Sequence, residues 1–529
     1  MLTTGNTKLY KVLSKINSIK WSIAIKGIFS GLIAGFLVVL YRFGIEYGTN
    51  TAVKTYAFLK QNPLLILPWI ILIVAAGLFL AWLVKLEPMA TGSGIPQVKG
   101  LLLYGLKIRW YSVLLVRFIA GLISSFFGLS LGREGPSVQI GASGSQALAK
   151  SISKNKLEEN YLITGGAAAG LSAAFNAPLS GIVFALEEVH RSFSKLILIA
   201  ATTAALTADV VSKYFFGLKP VLSFTATPSL PEAFYIWLIP LGILSGIVGA
   251  ALNKALLGFQ TMYRKVPFYM RPCIALLIAL PCGLFFPSVL GGGQNLVQIA
   301  EKAQSGIAII AVYLVIKFIF TCTSFGSGIP GGIFMPILAI GALTGSLLGL
   351  IATKFGLPAE YVPDFAVCAM AGALSGSVKA PITSILLIAE MTGSLVHMLP
   401  VAACSFVALF LSDALKTTPI YEALLERIVE NNKDNQNNKL GGIIEVPVEI
   451  GSKVADKTVQ EIDWPQDALL VGIHRGNKDI VPKGHTKILP GDYLIILSTE
   501  NTFKDLNVNI RDLCLKEPKG KLTINLRNA

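Results

Sequence analysis

The run LGREGPSVQIG (131–141) sets Arg133 and Glu134 between glycines in one of the most apolar parts of the chain. A carboxyl group in such a place can take up and release a proton, and it can stand in for a small anion. GSGIP (92–96) and GIFMP (332–336) are breaks of the same make, with glycine ahead and proline behind. Proline in a helix's first turn gives up an N–H that has no intrahelical partner anyway. A helix begun at each break presents unpaired N–H groups and the positive end of its dipole. Several such ends aimed at one place hold a small anion. Glycine lets the backbone come close to it, and Ser93 adds a hydroxyl donor. Glu134 then becomes a tethered competitor: ionised it fills the anion's place, protonated it lets go. Anion occupancy and carboxyl protonation are thereby linked.

The elements that must position these groups are membrane helices. The chain is 53% hydrophobic and 14% charged, with a mean hydropathy of +0.64. Soluble domains carry about a quarter charged residues. Apolar runs near bilayer length, such as Leu64–Val84 and Ile307–Cys322, recur from about residue 21 to residue 415. The expected class is an all-α polytopic membrane protein. Residues 1–27 hold five lysines and no acid, with no cleavage site after a short apolar core, so a signal peptide is not expected.

A net charge of +15 invites a nucleic-acid reading, and its distribution opposes one. Of 45 Lys and Arg against 30 Asp and Glu, 16 of each fall from Lys416 onwards, which leaves 29 against 14 before it. Basic loops beside membrane helices are what the positive-inside rule predicts, and they place the lysine-rich N-terminus in the cytoplasm. No nucleic-acid partner is expected. Six scattered cysteines without a CxxC spacing suggest neither a metal site nor a disulfide framework.

The membrane part repeats itself. GREGPSVQIGASGS (132–145) lines up with GGIFMPILAIGALTGS (331–346), Pro136 on Pro336, at an offset of 200. LSAAFNAPLSGIVFALEE (171–188) lines up with LSGSVKAPITSILLIAEM (374–391), Glu187 on Glu390, at an offset of 203. Two related halves, in many cases inverted, are the usual build of secondary transporters, with the substrate site at their interface near the midplane. The repeat also bears on Glu134. As a surface loop, Arg133 and Glu134 would simply be solvated. The equivalent stretch of the second half carries no charge, which points to depth in both copies, and charge at depth is costly and functional. Glu187 and Glu390, as repeat mates, suggest a structural pair that satisfies backbone or neighbouring side chains.

In order and spacing, GSGIP, GREGP and GIFMP resemble the three signature stretches of the CLC chloride channel and transporter family. NAPLSGIVFALEE (176–188) and PIYEALL (419–425) add to the likeness, which covers roughly residues 20–428. The resemblance implies that the hydroxyl of Ser93, the backbone amides of Ile333 and Phe334 and the hydroxyl of Tyr421 coordinate a central chloride. Glu134 is then the external gate, with Arg133 and Gly135 at the outer anion site. It also implies a homodimer in which each subunit has its own anion path. Members that exchange protons carry a second, cytoplasmic-side glutamate, and alignment on FALEE makes this Glu188. The bland alternative is a solvated helix end, EEVHR, with Glu187 or Glu188 paired to Arg191. Serine at position 93 speaks for chloride. Glu134 and Glu188 together favour proton-coupled exchange, and the alternative is a passive voltage- or pH-gated chloride channel on the same fold.

Behind the membrane part, NNKDNQNNK (431–439) reads as a polar linker. IIEVPVEI (443–450), ALLVGIHR (468–475) and DYLIILST (492–499) then read as strands, with LPGD (489–492) as a turn. This α+β module resembles the C-terminal domain of potassium-conductance regulators of the RCK or TrkA type. Such modules dimerise and, in some relatives, bind a cyclic dinucleotide, so a small-molecule regulator at residues 442–529 is a further expectation, beside the alternative that the module only braces the dimer. No other cofactor is expected; chloride is the substrate.

Other classes fit less well. GASG (141–144) matches the serine motif of intramembrane proteases, but the repeat explains it, and neither His190 nor His397 lies in a suggestive motif. A potassium pathway would need a TVGYG-like filter, which the sequence lacks. The expected organisation is a cytoplasmic segment (1–20), a transport domain (21–428, halves about 21–215 and 230–428), a linker (429–441) and a cytoplasmic regulatory domain (442–529). The chain is expected to cross the inner (plasma) membrane several times, with both termini cytoplasmic.

Overall fold

The structure is a computed structural model. It describes residues 3–218, 220–222, 230–302, 305–434, 443–449, 451–466, 468–475, 478–498, 509–510 and 512–514, with side chains from Lys20 onwards save at 431–434, 443–445, 478–479 and 498. Among the described residues, seventeen α-helices make up the membrane part. The first half contains α1 (Thr3–Gln61), α2 (Ile66–Leu86), α3 (Ile95–Tyr104), α4 (Trp110–Phe126), α5 (Glu134–Ile152), α6 (Lys156–Phe175), α7 (Pro178–Phe184) and α8 (Lys195–Phe216). The second contains α9 (Leu238–Arg264), α10 (Met270–Phe285), α11 (Gln294–Lys302), α12 (Ile307–Gly326), α13 (Phe334–Ala352), α14 (Val362–Val378), α15 (Pro381–Thr392), α16 (Met398–Ala414) and α17 (Ile420–Asp434).

Seven helical stretches among the described residues are long and apolar enough to cross a bilayer. The others are short because glycine and proline cut them. Pro96, Pro136, Pro178, Pro336 and Pro381 each lie within the first three residues of a helix, where proline costs no intrahelical bond. The repeat is visible as paired elements: α5 packs on α6 as α13 packs on α14. Gly141 makes the first contact possible, since a methyl group there would run into the Gly166 carbonyl, and Gly341 serves the same way against Ala369. These small residues are therefore the packing surface of the repeat, and Ser143 of the GASG run is buried in α5.

Among the described residues, each half also buries a cation against backbone carbonyls behind a break. Arg117 donates to the carbonyls of Gly92 (2.5 Å) and Thr91 (3.3 Å). Lys317, two hundred residues on, donates to those of Gly291 (2.7 Å) and Val289 (2.9 Å). In both halves a basic side chain donates to the carbonyl-rich turn ahead of a broken helix.

The polar linker is shorter than its composition suggests: α17 continues through Asn431, Asn432, Lys433 and Asp434. The rest of the expected linker, 435–441, lies outside the described residues. Beyond it stands a four-stranded antiparallel sheet of β1 (Ile443–Pro447), β2 (Ala468–Arg475), β3 (Lys478–Ile480) and β4 (Tyr493–Ser498), in the order β1-β4-β2-β3. Its core is built from Val446, Val448, Val454, Ile473, Leu494 and Ile496 with Ile510 and Cys514. The PGD turn is fixed by Asp492, whose carboxylate accepts the Leu489 N–H (2.8 Å) and two bonds from Arg475 (2.8 and 2.7 Å).

Candidate functional site

Three breaks meet at the centre of the membrane part. The backbones of Gly132 and Gly332 form an isolated antiparallel bridge, and Gly331 N–H donates to the Gly92 carbonyl at 3.0 Å. A two-fold relation between the halves brings equivalent residues face to face in this way. Gly94 holds a backbone φ of +95°, which only glycine adopts without strain. Gly135 carries no side chain where a methyl group would lie 2.6 Å from Ser93 Oγ. The GSGIP and GREGP breaks are thus packed backbone against backbone.

The sequence-nominated residues fall as follows. Glu134 opens α5 and Phe334 opens α13, with Ile333 as the residue before it. All three are buried. The Glu134 carboxyl turns back over its own N–H and faces the N–H of Met335, so it lies across the start of α13. Its Oε2 has no hydrogen-bond partner among the described residues. The first N–H groups of a helix have no acceptor in the helix itself. Ser93 and Tyr421 lie beside this point, both buried. Tyr421 is brought in by α17, which packs on α3. The two hydroxyls face one another, yet among the described residues neither Ser93 Oγ nor Tyr421 Oη has a hydrogen-bond partner of normal geometry. Buried polar atoms are as a rule satisfied. Unpartnered donors converging with helix N-termini are the donor set for a dehydrated anion. Tyr421 lies in the electrostatic field of both Glu134 and Glu188.

Arg133 does not point at that cradle. Its guanidinium donates to Glu46 at 2.5 Å, and Glu46 also accepts from Arg42 at 3.1 Å. Gly135 follows Glu134 in the first turn of α5.

Glu188 is buried in a π-helical turn, Ala185–Val189, that prolongs α7. Arg191 is not its hydrogen-bonded partner. Lys99 of α3 donates to Glu188 at 2.8 Å and to Glu422 of α17 at 2.9 Å, while Arg191 contacts Glu422 at 2.5 Å. Glu187 does neither: it accepts the Thr383 N–H (2.9 Å) and hydroxyl (2.7 Å) at the start of α15. Glu390 returns the contact, accepting the Ser180 N–H (2.8 Å) and hydroxyl (2.5 Å) at the start of α7. Each half therefore caps a helix of the other. His190 contacts the Thr164 hydroxyl at 2.8 Å and His397 contacts Asp364 at 3.0 Å.

Lys99, Glu422, Glu46 and Met335 belong to the site and were not singled out by motif. The usable signal was charge: Lys99 lies on a broken helix six residues after Ser93 and is wholly buried. A cavity of about 200 Å³ reaches Ser93 and Gln97 from the side lined by Gln260, Arg264, Arg271 and Arg427. Its basic lining suits an anion path.

Fold and site define a polytopic helical membrane protein whose two related halves meet at a buried cluster of broken-helix ends. A family model described as voltage gated chloride channel matches residues 76–413, and one described as TrkA-C domain matches 443–508. The chain belongs to the voltage-gated chloride channel family and carries a TrkA-C domain behind the membrane part. It is 34% identical over 434 residues to the H(+)/Cl(-) exchange transporter ClcA of Salmonella paratyphi A, across 78% of this chain and 90% of that one. Among solved structures it is similar to a slow cyanobacterial Cl-/H+ antiporter, with a TM-score of 0.72 and 28% identity over 79% of this chain and 99% of that one. It also shares its fold with a eukaryotic CLC transporter, with a TM-score of 0.64 and 21% identity over 77% of this chain and 74% of that one.

Proposed function

We propose that this protein exchanges chloride for protons, and that Glu134 and Glu188 are the two proton-handling carboxyls. The observation that carries this reading is the position of the Glu134 carboxyl across the start of α13, beside two buried hydroxyls that lack partners. Chloride sits between Ser93 Oγ, Tyr421 Oη and the amides of Ile333 and Phe334. Ionised Glu134 fills the adjoining outer place, near Arg133 and Gly135, and blocks passage. When it takes a proton its hold on the N–H groups weakens, the side chain leaves, and chloride follows. Glu188 receives or delivers the proton on the far side of Tyr421.

The TrkA-C domain supports a cytoplasmic regulatory role. Asn160 of α6 donates to the Tyr493 hydroxyl at 2.6 Å, and Ser192, just after Glu188, donates to Glu449 at 3.0 Å. On this reading both termini face the cytoplasm, the protein is a homodimer, and a small ligand such as a cyclic dinucleotide acts through residues 442–529.

The test is proton movement driven by a chloride gradient in proteoliposomes. Uphill proton pumping supports exchange. A reversal potential that ignores the proton gradient would make the protein a passive channel.

A further inference from the structure

Glu188 has no open route to water: its side chain is 4% exposed, and Lys99, which contacts it, is 0% exposed. Beyond Lys99 the burial ends. The Glu422 side chain is 22% exposed and that of Arg191 is 44% exposed. Lys99 Nζ lies between two carboxylates at nearly equal distance, 2.8 Å to Glu188 and 2.9 Å to Glu422. The three groups come from three elements: α3, the π-helical turn after α7, and α17. The charged and titratable groups around Glu188 are Lys99, Arg191, Glu422 and, one residue before Glu422, Tyr421. Formal charge sums to zero across Lys99, Arg191, Glu188 and Glu422, so the buried charges are paired.

We propose that Glu422 is the cytoplasmic proton port of the exchanger and that Lys99 relays the proton between it and Glu188. This rests on the exchange reading and on Glu188 as its inner carboxyl. In the inward-to-outward direction Glu422 takes a proton from water. The Lys99 ammonium gives one N–H proton to the Glu188 carboxylate while the Glu422 O–H proton passes to Nζ. Lys99 ends as an ammonium again, Glu422 as a carboxylate and Glu188 as a carboxylic acid; one proton has moved and no bond is left unaccounted for. The reverse direction runs the same steps backwards. A lysine suits this part because its Nζ carries three rotatable donors and reaches both carboxylates at once.

The experiment measures proton and chloride fluxes together in proteoliposomes of the full chain, for Glu422→Gln, Glu422→Asp and Lys99→Arg, with Glu188→Gln as the reference. Glu422→Gln keeps the size and the acceptor oxygen and loses only the titrating group. Its proton flux should fall about tenfold or more while chloride flux stays within about twofold, since a positioned acid or base contributes a factor of that order or larger. Glu422→Asp should restore part of the proton flux, and Lys99→Arg should lower it. If Glu188→Gln stops proton movement while Glu422→Gln leaves the proton-to-chloride ratio unchanged, the port is elsewhere and the exchange reading survives. Proportional loss of both fluxes in Glu422→Gln and Lys99→Arg would assign the cluster a structural role and overturn the proposal. Unchanged coupling in Glu188→Gln would overturn the reading beneath it.

Discussion

Gly132 and Gly332 exchange two backbone hydrogen bonds of 2.7 Å each, N–H to carbonyl in both directions. They are equivalent residues of the two halves. The bridge locks the start of α5 to the start of α13, so the N–H groups proposed to face an anion are fixed relative to one another before any anion arrives. Preorganised donors need no rearrangement on binding, which is why they hold charge well in a low-dielectric site.

Gly135→Ala should damage this cradle without touching a titrating group. Its methyl would meet the Ser93 carbonyl and lie 2.6 Å from Ser93 Oγ, driving the GSGIP and GREGP breaks apart. Chloride and proton fluxes in proteoliposomes should fall together. That outcome contrasts with Glu134→Gln, in which chloride should still move while proton coupling is lost.

Ser93 and Tyr421 offer the only hydroxyl donors assigned to the central anion. Each bond to a charged partner is worth about 1.5–3 kcal/mol, so Ser93→Ala and Tyr421→Phe should each weaken chloride binding by about tenfold or more. Isothermal titration with chloride measures this. Unchanged binding in both variants would place the anion elsewhere.

Glu187 and Glu390 should behave as braces. Removing a carboxylate that accepts N–H groups at a helix start costs about 1–2 kcal/mol. Glu187→Gln and Glu390→Gln should lower the thermal unfolding temperature in detergent and leave the proton-to-chloride ratio of the folded protein as it was.

The TrkA-C domain should lose stability at alkaline pH. Burial pushes the Cys514 thiol from its ordinary value of 9.0 up to about 12. The unfolded chain loses that proton near pH 9, while the folded domain keeps it. The thiol's contribution is therefore fully present below pH 9 and is lost as pH rises towards 12, at about 1.4 kcal/mol per pH unit. Cys514→Ala should flatten that dependence in denaturant titrations of the full chain followed at the domain.

Much of the site could be read from the sequence because glycine and proline mark where helices start. Each break begins a helix, and the offsets of 200 and 203 identify which ends are equivalent. The Glu187 and Glu390 pair was legible for the same reason, although their targets were not: each caps the opposite half. What pattern cannot show is which charges meet across the fold. Lys99 finds Glu188 at a separation of 89 residues and Glu422 at 323, and no local period encodes either contact. Arg191 lies three residues from Glu188, and local reasoning therefore offered it as the partner; tertiary packing gives it Glu422 instead. Likewise NNKD continues α17 although its composition reads as linker.

The central claim is that the Glu134 carboxyl and a halide contend for one hollow at the helix starts of α5 and α13. Anomalous diffraction from crystals grown in bromide tests it directly, comparing the native chain with Glu134→Gln. The account predicts an additional bromide peak in Glu134→Gln at the place the carboxyl occupies against the Met335 N–H, with the peak beside Ser93 and Tyr421 present in both. Identical bromide positions in the two crystals, with none at that place, would contradict it.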